Sequence, residues 1–126
     1  SVYCDVYKIG QVIRNLLSNA VRYSPRGKNI SIQYQKTQSI IMDNQVSALQ
    51  FSVSDQGLGI PEDEKAHLFD KFVQSNKTRT SNGGTGLGLA ICKEIVTAHQ
   101  GKIWAENNPE SGATFFMILP YRFQNF

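Results

Sequence analysis

Several things are scarce in this chain of 126 residues, and each scarcity excludes something. There are two cysteines, Cys4 and Cys92. They form no metal-ligand spacing and no disulfide framework, so both read as reduced thiols in a cytosolic setting. No apolar run approaches the roughly 20 residues needed to span a bilayer, and no secretory signal pattern opens the chain. Charge of one sign is missing too: 13 Lys+Arg against 10 Asp+Glu leave a net +3, spread along the sequence. That permits an anionic ligand without calling for nucleic acid. Repeats and low-complexity tracts are absent. What remains is ordinary, 40% hydrophobic and 18% charged, and long enough for one domain with a real core over residues 1–126. The abrupt opening at Ser1, close to a helical pattern, implies a fragment of something longer.

Against that background one stretch stands out, Gly83-Gly84-Thr85-Gly86-Leu87-Gly88, followed by Leu89, Ile91, Cys92, Ile95 and Val96 at helical spacing. It predicts a flexible loop turning into the first turn of a helix. Unpaired N–H groups and the positive end of the helix dipole there suit a phosphate. Two familiar phosphate loops are excluded by spelling. No lysine follows these glycines until Lys93, as a P-loop needs, and Leu89 or Ile91 stands where a dinucleotide fingerprint has its third glycine. The stretch is either a phosphate cradle of another kind or a glycine-rich helix cap without a ligand.

In chain order, residues 5–23 predict an amphipathic helix, capped by Asp5 and ended at Ser24-Pro25. Ile9, Val12, Ile13, Leu16, Leu17 and Ala20 form its core stripe. Asn15, Asn19 and Arg22 share one flank of that stripe, with Tyr23 a little further round. They are either solvated surface or one side of a site. Residues 29–36 alternate as a strand. Residues 37–47 either extend a hairpin past a turn at Asp43-Asn44 or do not. Alternation returns over residues 48–55 and puts Asp55 on the side of Leu49, Phe51 and Val53, a costly place for a carboxylate without a partner. A glycine turn, Gln56-Gly57-Leu58-Gly59-Ile60-Pro61, precedes a short helix over residues 62–72 with acids in its first turn. Residues 73–85 read as a polar lid. A second long helix runs from near Gly86 to Gly101. Two strands, residues 102–106 and 114–119, follow, joined by a turn over residues 107–112. Helices and mainly antiparallel strands in this order predict an α+β two-layer sandwich, a mixed sheet covered on one face by helices.

Four of these segments, in order, resemble one family. Asn15-Leu16-Leu17-Ser18-Asn19-Ala20-Val21-Arg22-Tyr23 is similar to the N box of sensor histidine kinases, and Asp55-Gln56-Gly57-Leu58-Gly59-Ile60 to their first glycine box. Leu68-Phe69-Asp70-Lys71-Phe72 resembles the F box, and Gly84-Thr85-Gly86-Leu87-Gly88-Leu89 the second glycine box. The resemblance covers nearly the whole chain. It implies the ATP-binding catalytic domain of a two-component histidine kinase, with the Bergerat fold shared with HSP90, gyrase B and MutL.

On that resemblance Asn19 is the expected Mg²⁺ ligand through its amide oxygen, with Asn15 supporting metal and phosphates. Arg22 would reach a phosphate oxygen and Tyr23 would flank the adenine. Asp55 would accept a hydrogen bond from the adenine amine, with Thr114 joined to it through a water. Gly57 and Gly59 would let backbone approach the base, and Ile60 would form part of its apolar wall. Thr85, Gly86, Leu87, Gly88 and Leu89 would gather round the phosphates, and Phe72 would line the site. Lys71, Gln74, Lys77 and Arg79 are the candidates for the γ-phosphate; Gln74 stands where many relatives carry arginine. The catalytic set implied is Asn15, Lys71 and Gln74.

Related ATPases carry a glutamate where this chain has Asn15, and an amide cannot take a proton usefully at neutral pH. The resemblance therefore implies poor hydrolysis and phosphoryl transfer to a histidine on a separate dimerisation domain, with a response regulator downstream. His67 and His99 are read as structural. A monomeric fragment of a homodimeric parent is expected, cytoplasmic, with no nucleic-acid partner. Rival readings are an anti-sigma-type serine kinase or slow ATPase, a nucleotide-sensing module without transfer, and a plain interaction domain.

Overall fold

A computed structural model describes residues 5–70 and 88–121, apart from the side chain of Tyr23. Helix α1 spans Val6–Tyr23, with Asp5 as N-cap accepting from the Lys8 N–H and with Ser24 donating back to the Ala20 carbonyl at its end. Strands β1 (Ser31–Ile41) and β2 (Asn44–Ser54) form a long antiparallel hairpin. Its two-residue turn, Met42-Asp43, has positive φ at both positions, the mirror-image geometry that suits the twist of a hairpin. The undecided residues 37–47 therefore belong to this hairpin. A short helix, α2, spans Glu62–Lys65. Helix α3 (Gly88–Ala98) leads through a tight connection to β3 (Lys102–Asn107), which turns back as β4 (Ala113–Pro120).

The sheet has the order β1-β2-β4-β3, and every described strand pair is antiparallel. Register places Leu49, Phe51 and Val53 opposite Leu119, Met117 and Phe115. Because alternate residues share a face, this side of the sheet meets α1 and α3. Ile9, Val12, Leu16 and Ala20 from α1 and Cys92, Ile95 and Val96 from α3 join Val53, Met117 and Leu119 in one buried cluster. The result is the expected two-layer α+β sandwich, with both long helices on one face.

The expected helix over residues 62–72 is α-helical only to Lys65. From there His67 bonds to the Glu64 carbonyl and Asp70 to that of His67, i to i+3 bonds of successive tight turns. No residue of α2 is buried, so no apolar stripe holds it in a longer α-helix. At the far end of α3, the chain turns through Gln100 in the left-handed region (φ 61), and the Gly101 N–H bonds to Val96.

Candidate functional site

Asp55 follows the last residue of β2 and keeps its alternation, so its side chain turns toward the helix-covered face and is only 8% exposed. Oδ1 accepts from the Gly57 N–H at 2.9 Å and from the Ala113 N–H at 3.2 Å. The Asp55 N–H donates to the Ala113 carbonyl at 2.9 Å, and its own carbonyl accepts from Asn108 Nδ2 at 2.9 Å. Oδ2 takes no hydrogen bond among the described residues. A buried carboxylate with one oxygen filled and the other unfilled is set to accept from a donor outside the fold.

The turn after β3 makes this arrangement possible. Gly112 is buried with φ +83, and a Cβ on it would lie 2.1 Å from the Asp55 carbonyl oxygen and 2.7 Å from Oδ1. Only glycine fits. Asn108 completes the seat, its Nδ2 also reaching Ser54 Oγ at 3.0 Å and the Ser111 carbonyl at 3.2 Å. Gly112, Asn107 and Asn108 were not legible as more than turn residues. The one available signal was a glycine immediately before a strand that begins opposite a buried acid.

Thr114 is not brought to Asp55. It pairs with Ser54 across the sheet, and alternation turns both side chains to the face away from the helices. There the Thr114 hydroxyl lies 2.5 Å from Asn108 Oδ1 and 3.0 Å from Ser54 Oγ. The group of this strand that reaches the carboxylate is the Ala113 backbone N–H.

Gly57 is buried, and its N–H is already committed to Asp55. Gly59 has φ +81, and the space a Cβ would take is filled from within the protein: Asn107 Oδ1 would be at 2.9 Å and the Gly112 carbonyl at 3.3 Å. Ile60 is half-buried beside them.

Antiparallel packing of the two long helices brings the other expected residues to the same end. The Asp5 N–H, just before α1, bonds to His99 Nε2 beyond the end of α3 at 2.9 Å, and Asn15 Nδ2 lies 3.5 Å from Cys92 Sγ midway. Asn19 is about 6 Å further along α1 and Gly88 about 6 Å back along α3, at 1.5 Å per residue. Asn19 and the first turn of α3 are thus level. Asn15 and Asn19 are half-buried and Arg22 is exposed. A Cβ at Gly88 would meet no atom within 4 Å, so the start of α3 faces open space. Leu89, by contrast, packs against the core cluster.

α3 and β3 form a hairpin, so the start of α3 lies toward the Asn107–Ala113 end of the sheet, where Asp55 sits. Phe69 joins them, meeting Phe115 edge-on at 6.3 Å between centroids. Burial pushes the Cys92 thiol above its ordinary value, opposed by the bond from Asn15. Lys71, Phe72, Gln74, Lys77, Arg79, Thr85, Gly86 and Leu87 lie outside the described residues, as does the Tyr23 side chain.

The described residues contain no group of three His, Cys, Asp or Glu side chains able to hold a metal. The amide oxygens on the α1 flank would fit only a hard cation that takes most of its ligands from a bound phosphate chain and water. Neither histidine is an open nucleophile of this site. His99 is buried, Nδ1 bonded to the Ile95 carbonyl and Nε2 to the Asp5 N–H. His67 is exposed and lies against Asp70. No described helix is long and apolar enough to cross a membrane.

Comparison with known proteins agrees with this architecture. Residues 4–122 match the family model described as histidine kinase-, DNA gyrase B-, and HSP90-like ATPase. The chain is 44% identical over 122 residues to the sensor histidine kinase WalK of Bacillus subtilis, covering 96% of this chain and 19% of that protein. Among solved structures, the mycobacterial sensor histidine kinase MprB superposes with a TM-score of 0.79 at 30% identity, over 98% of this chain and 78% of that one. The catalytic domain of the histidine kinase ThkA gives 0.75 at 33% identity, over 96% and 71%. The chain thus spans about a fifth of its curated relative's length.

Proposed function

The chain belongs to the family of histidine kinase-, DNA gyrase B- and HSP90-like ATPases, and on that premise we propose that residues 1–126 form the catalytic domain of a sensor histidine kinase. It binds ATP·Mg²⁺ and presents the γ-phosphoryl group to a histidine on a separate phosphoacceptor domain. One observation carries the reading: a buried carboxylate, Asp55, keeps one oxygen for an outside donor at the same end of the molecule as the open first turn of α3.

The residues divide the work by chemistry. Asp55 Oδ2 accepts from the adenine amine, while Gly57 and Ala113 hold Oδ1 and so fix the carboxylate's direction. Ile60 walls the base. The N–H groups opening α3 and the exposed Arg22 receive phosphate oxygens. Asn19, with Asn15 one turn before it, offers amide oxygens to a phosphate-bound cation. When bound, Mg²⁺ supplies charge neutralisation of the phosphates. An amide at position 15, its nitrogen tied to Cys92, is no general base. Positioning is therefore the domain's contribution, and the nucleophile comes from a partner domain. The buried His99 and the paired, exposed His67 support that assignment.

The test is nucleotide-dependent stabilisation. At a free concentration 100 times Kd, ATP·Mg²⁺ is expected to add about 2.7 kcal/mol to unfolding free energy. Asp55→Asn keeps an oxygen for Gly57 and Ala113 but turns an NH₂ toward the amine. It is expected to abolish the gain while the empty domain still unfolds cooperatively. Retention of ATP binding by that variant would overturn the role of Asp55. A parent indifferent to ATP·Mg²⁺ would overturn the reading as a whole.

A further inference from the structure

The glycine loop between β2 and α2 is fastened by a single side chain from elsewhere in the fold. Asn107, the last residue of β3, accepts from the Ile60 N–H through Oδ1 at 2.7 Å and donates through Nδ2 to the Ile60 carbonyl at 2.9 Å. One primary amide thus pairs with both backbone groups of one residue, as a neighbouring strand would. Among the described residues Ile60 has no other backbone partner. The residue after it is Pro61, which has no N–H to offer.

Position 59 is shaped to let this amide in. With φ +81 and a virtual Cβ only 2.9 Å from Asn107 Oδ1, it holds glycine so that the amide can dock. Asn107 itself is exposed and outside the buried cluster, so it does little for the core.

We propose that Asn107 is a positioning residue of the nucleotide site. It holds Ile60, and with it the glycine loop, in the base-receiving shape before any ligand arrives. The inference rests on the reading of Ile60 as the adenine wall. Its physical content is preorganisation: a loop already held needs no ordering on binding, and apparent affinity falls by the fraction of time the loop is out of place. Only an amide does this. Aspartate has the same shape but no donor, and would set an oxygen against the Ile60 carbonyl. Alanine has neither.

The experiment compares the parent chain with Asn107→Ala and Asn107→Asp in three measurements. These are the Kd for ATP·Mg²⁺ by calorimetry, hydrogen exchange at the Ile60 amide by NMR in the empty domain, and the thermal midpoint of the empty domain. The expected result is an ATP affinity weakened about tenfold in both variants, with faster exchange at Ile60 and a midpoint shifted by no more than about 2 °C. An ATP Kd within twofold of the parent in both variants would overturn the proposal. So would an affinity loss that tracks a large fall in the empty domain's midpoint, since the role would then be structural. A parent that binds no ATP would instead sink the underlying site reading, which separates the two failures.

Discussion

Gly112→Ala is the substitution on which the reasoning about Asp55 can be tried most severely. The new methyl would lie 2.1 Å from the Asp55 carbonyl oxygen, 2.6 Å from its carbonyl carbon and 2.7 Å from Oδ1. None of these is the free end of a flexible chain, so the turn or the end of β2 must move. The positive φ of 83 at this position adds a backbone cost of about 1–2 kcal/mol for an L side chain. Movement also breaks the bonds from Ala113 N–H to Oδ1 and from Asn108 to the Asp55 carbonyl, each worth about 0.5–1.5 kcal/mol. The total is roughly 2–5 kcal/mol. Gly27→Ala is the control, because Gly27 has nearly the same φ, +84, but nothing within 4 Å of its virtual Cβ. It should lose only the backbone part, about 1–2 kcal/mol. Urea unfolding of both variants, at an unchanged slope, separates the two contributions. Gly112→Ala should in addition lose ATP·Mg²⁺ affinity, and Gly27→Ala should not. Equal destabilisation by the two variants, or full ATP affinity in Gly112→Ala, would refute the claim that this glycine seats the carboxylate.

Two further outcomes follow from the packing of α1 on α3. Cys92 is fully buried, and burial holds its thiol above the ordinary 9.0. Its contribution to stability is therefore full below the unfolded-state value and is lost as pH rises above it. In a Cys4→Ser background, the urea midpoint should fall more steeply above about pH 9 than it does with Cys92→Val as well, and equal slopes would count against this. His99→Ala removes the acceptor of the Asp5 N–H and the donor to Ile95. It should cost roughly 2–4 kcal/mol in urea unfolding yet leave ATP affinity unchanged, because this ring lies at the opposite end of the helices from Asp55. A loss of affinity without a loss of stability would contradict that placement.

How much of this could be read beforehand depended on whether the determining contacts were local. The extent of α1 was legible because its cap, its stripe and its stop lie within a few residues of one another. The inward turn of Asp55 was legible from parity alone, since strand alternation carries past Ser54. Thr114 misled because its strand was started one residue late. With β4 beginning at Ala113 and paired to Ser54 at Thr114, the hydroxyl falls on the other face. The helix over residues 62–72 was overextended because an apolar pattern does not say whether a surface waits to receive it. The asparagines at 107 and 108 were illegible for a different reason. Their partners, Ile60, Ser54 and Asp55, stand 47 to 54 residues away, and no spacing rule connects a turn to a loop at that separation.

The two ends of the helix pair are built by different means, and this explains why function can occupy only one of them. Where α3 ends, a buried imidazole ties it to the start of α1, and Gly101 lies so near β4 that a Cβ would come within 2.2 Å of the Ile118 carbonyl. Backbone there meets backbone, and any opening would disturb the core through Val96 and Leu119. Where α3 begins, the neighbouring loop is held by the side-chain amide of Asn107 rather than by a strand, and Gly88 faces open space. Side-chain anchors of this kind can be released one at a time for about 0.5–1.5 kcal/mol each, without drawing on the cluster around Val12, Leu16 and Met117. Local opening is therefore cheapest beside Asp55 and dearest beside His99. A ligand that orders the first end shifts a local equilibrium, whereas one acting at the second would have to unfold the domain.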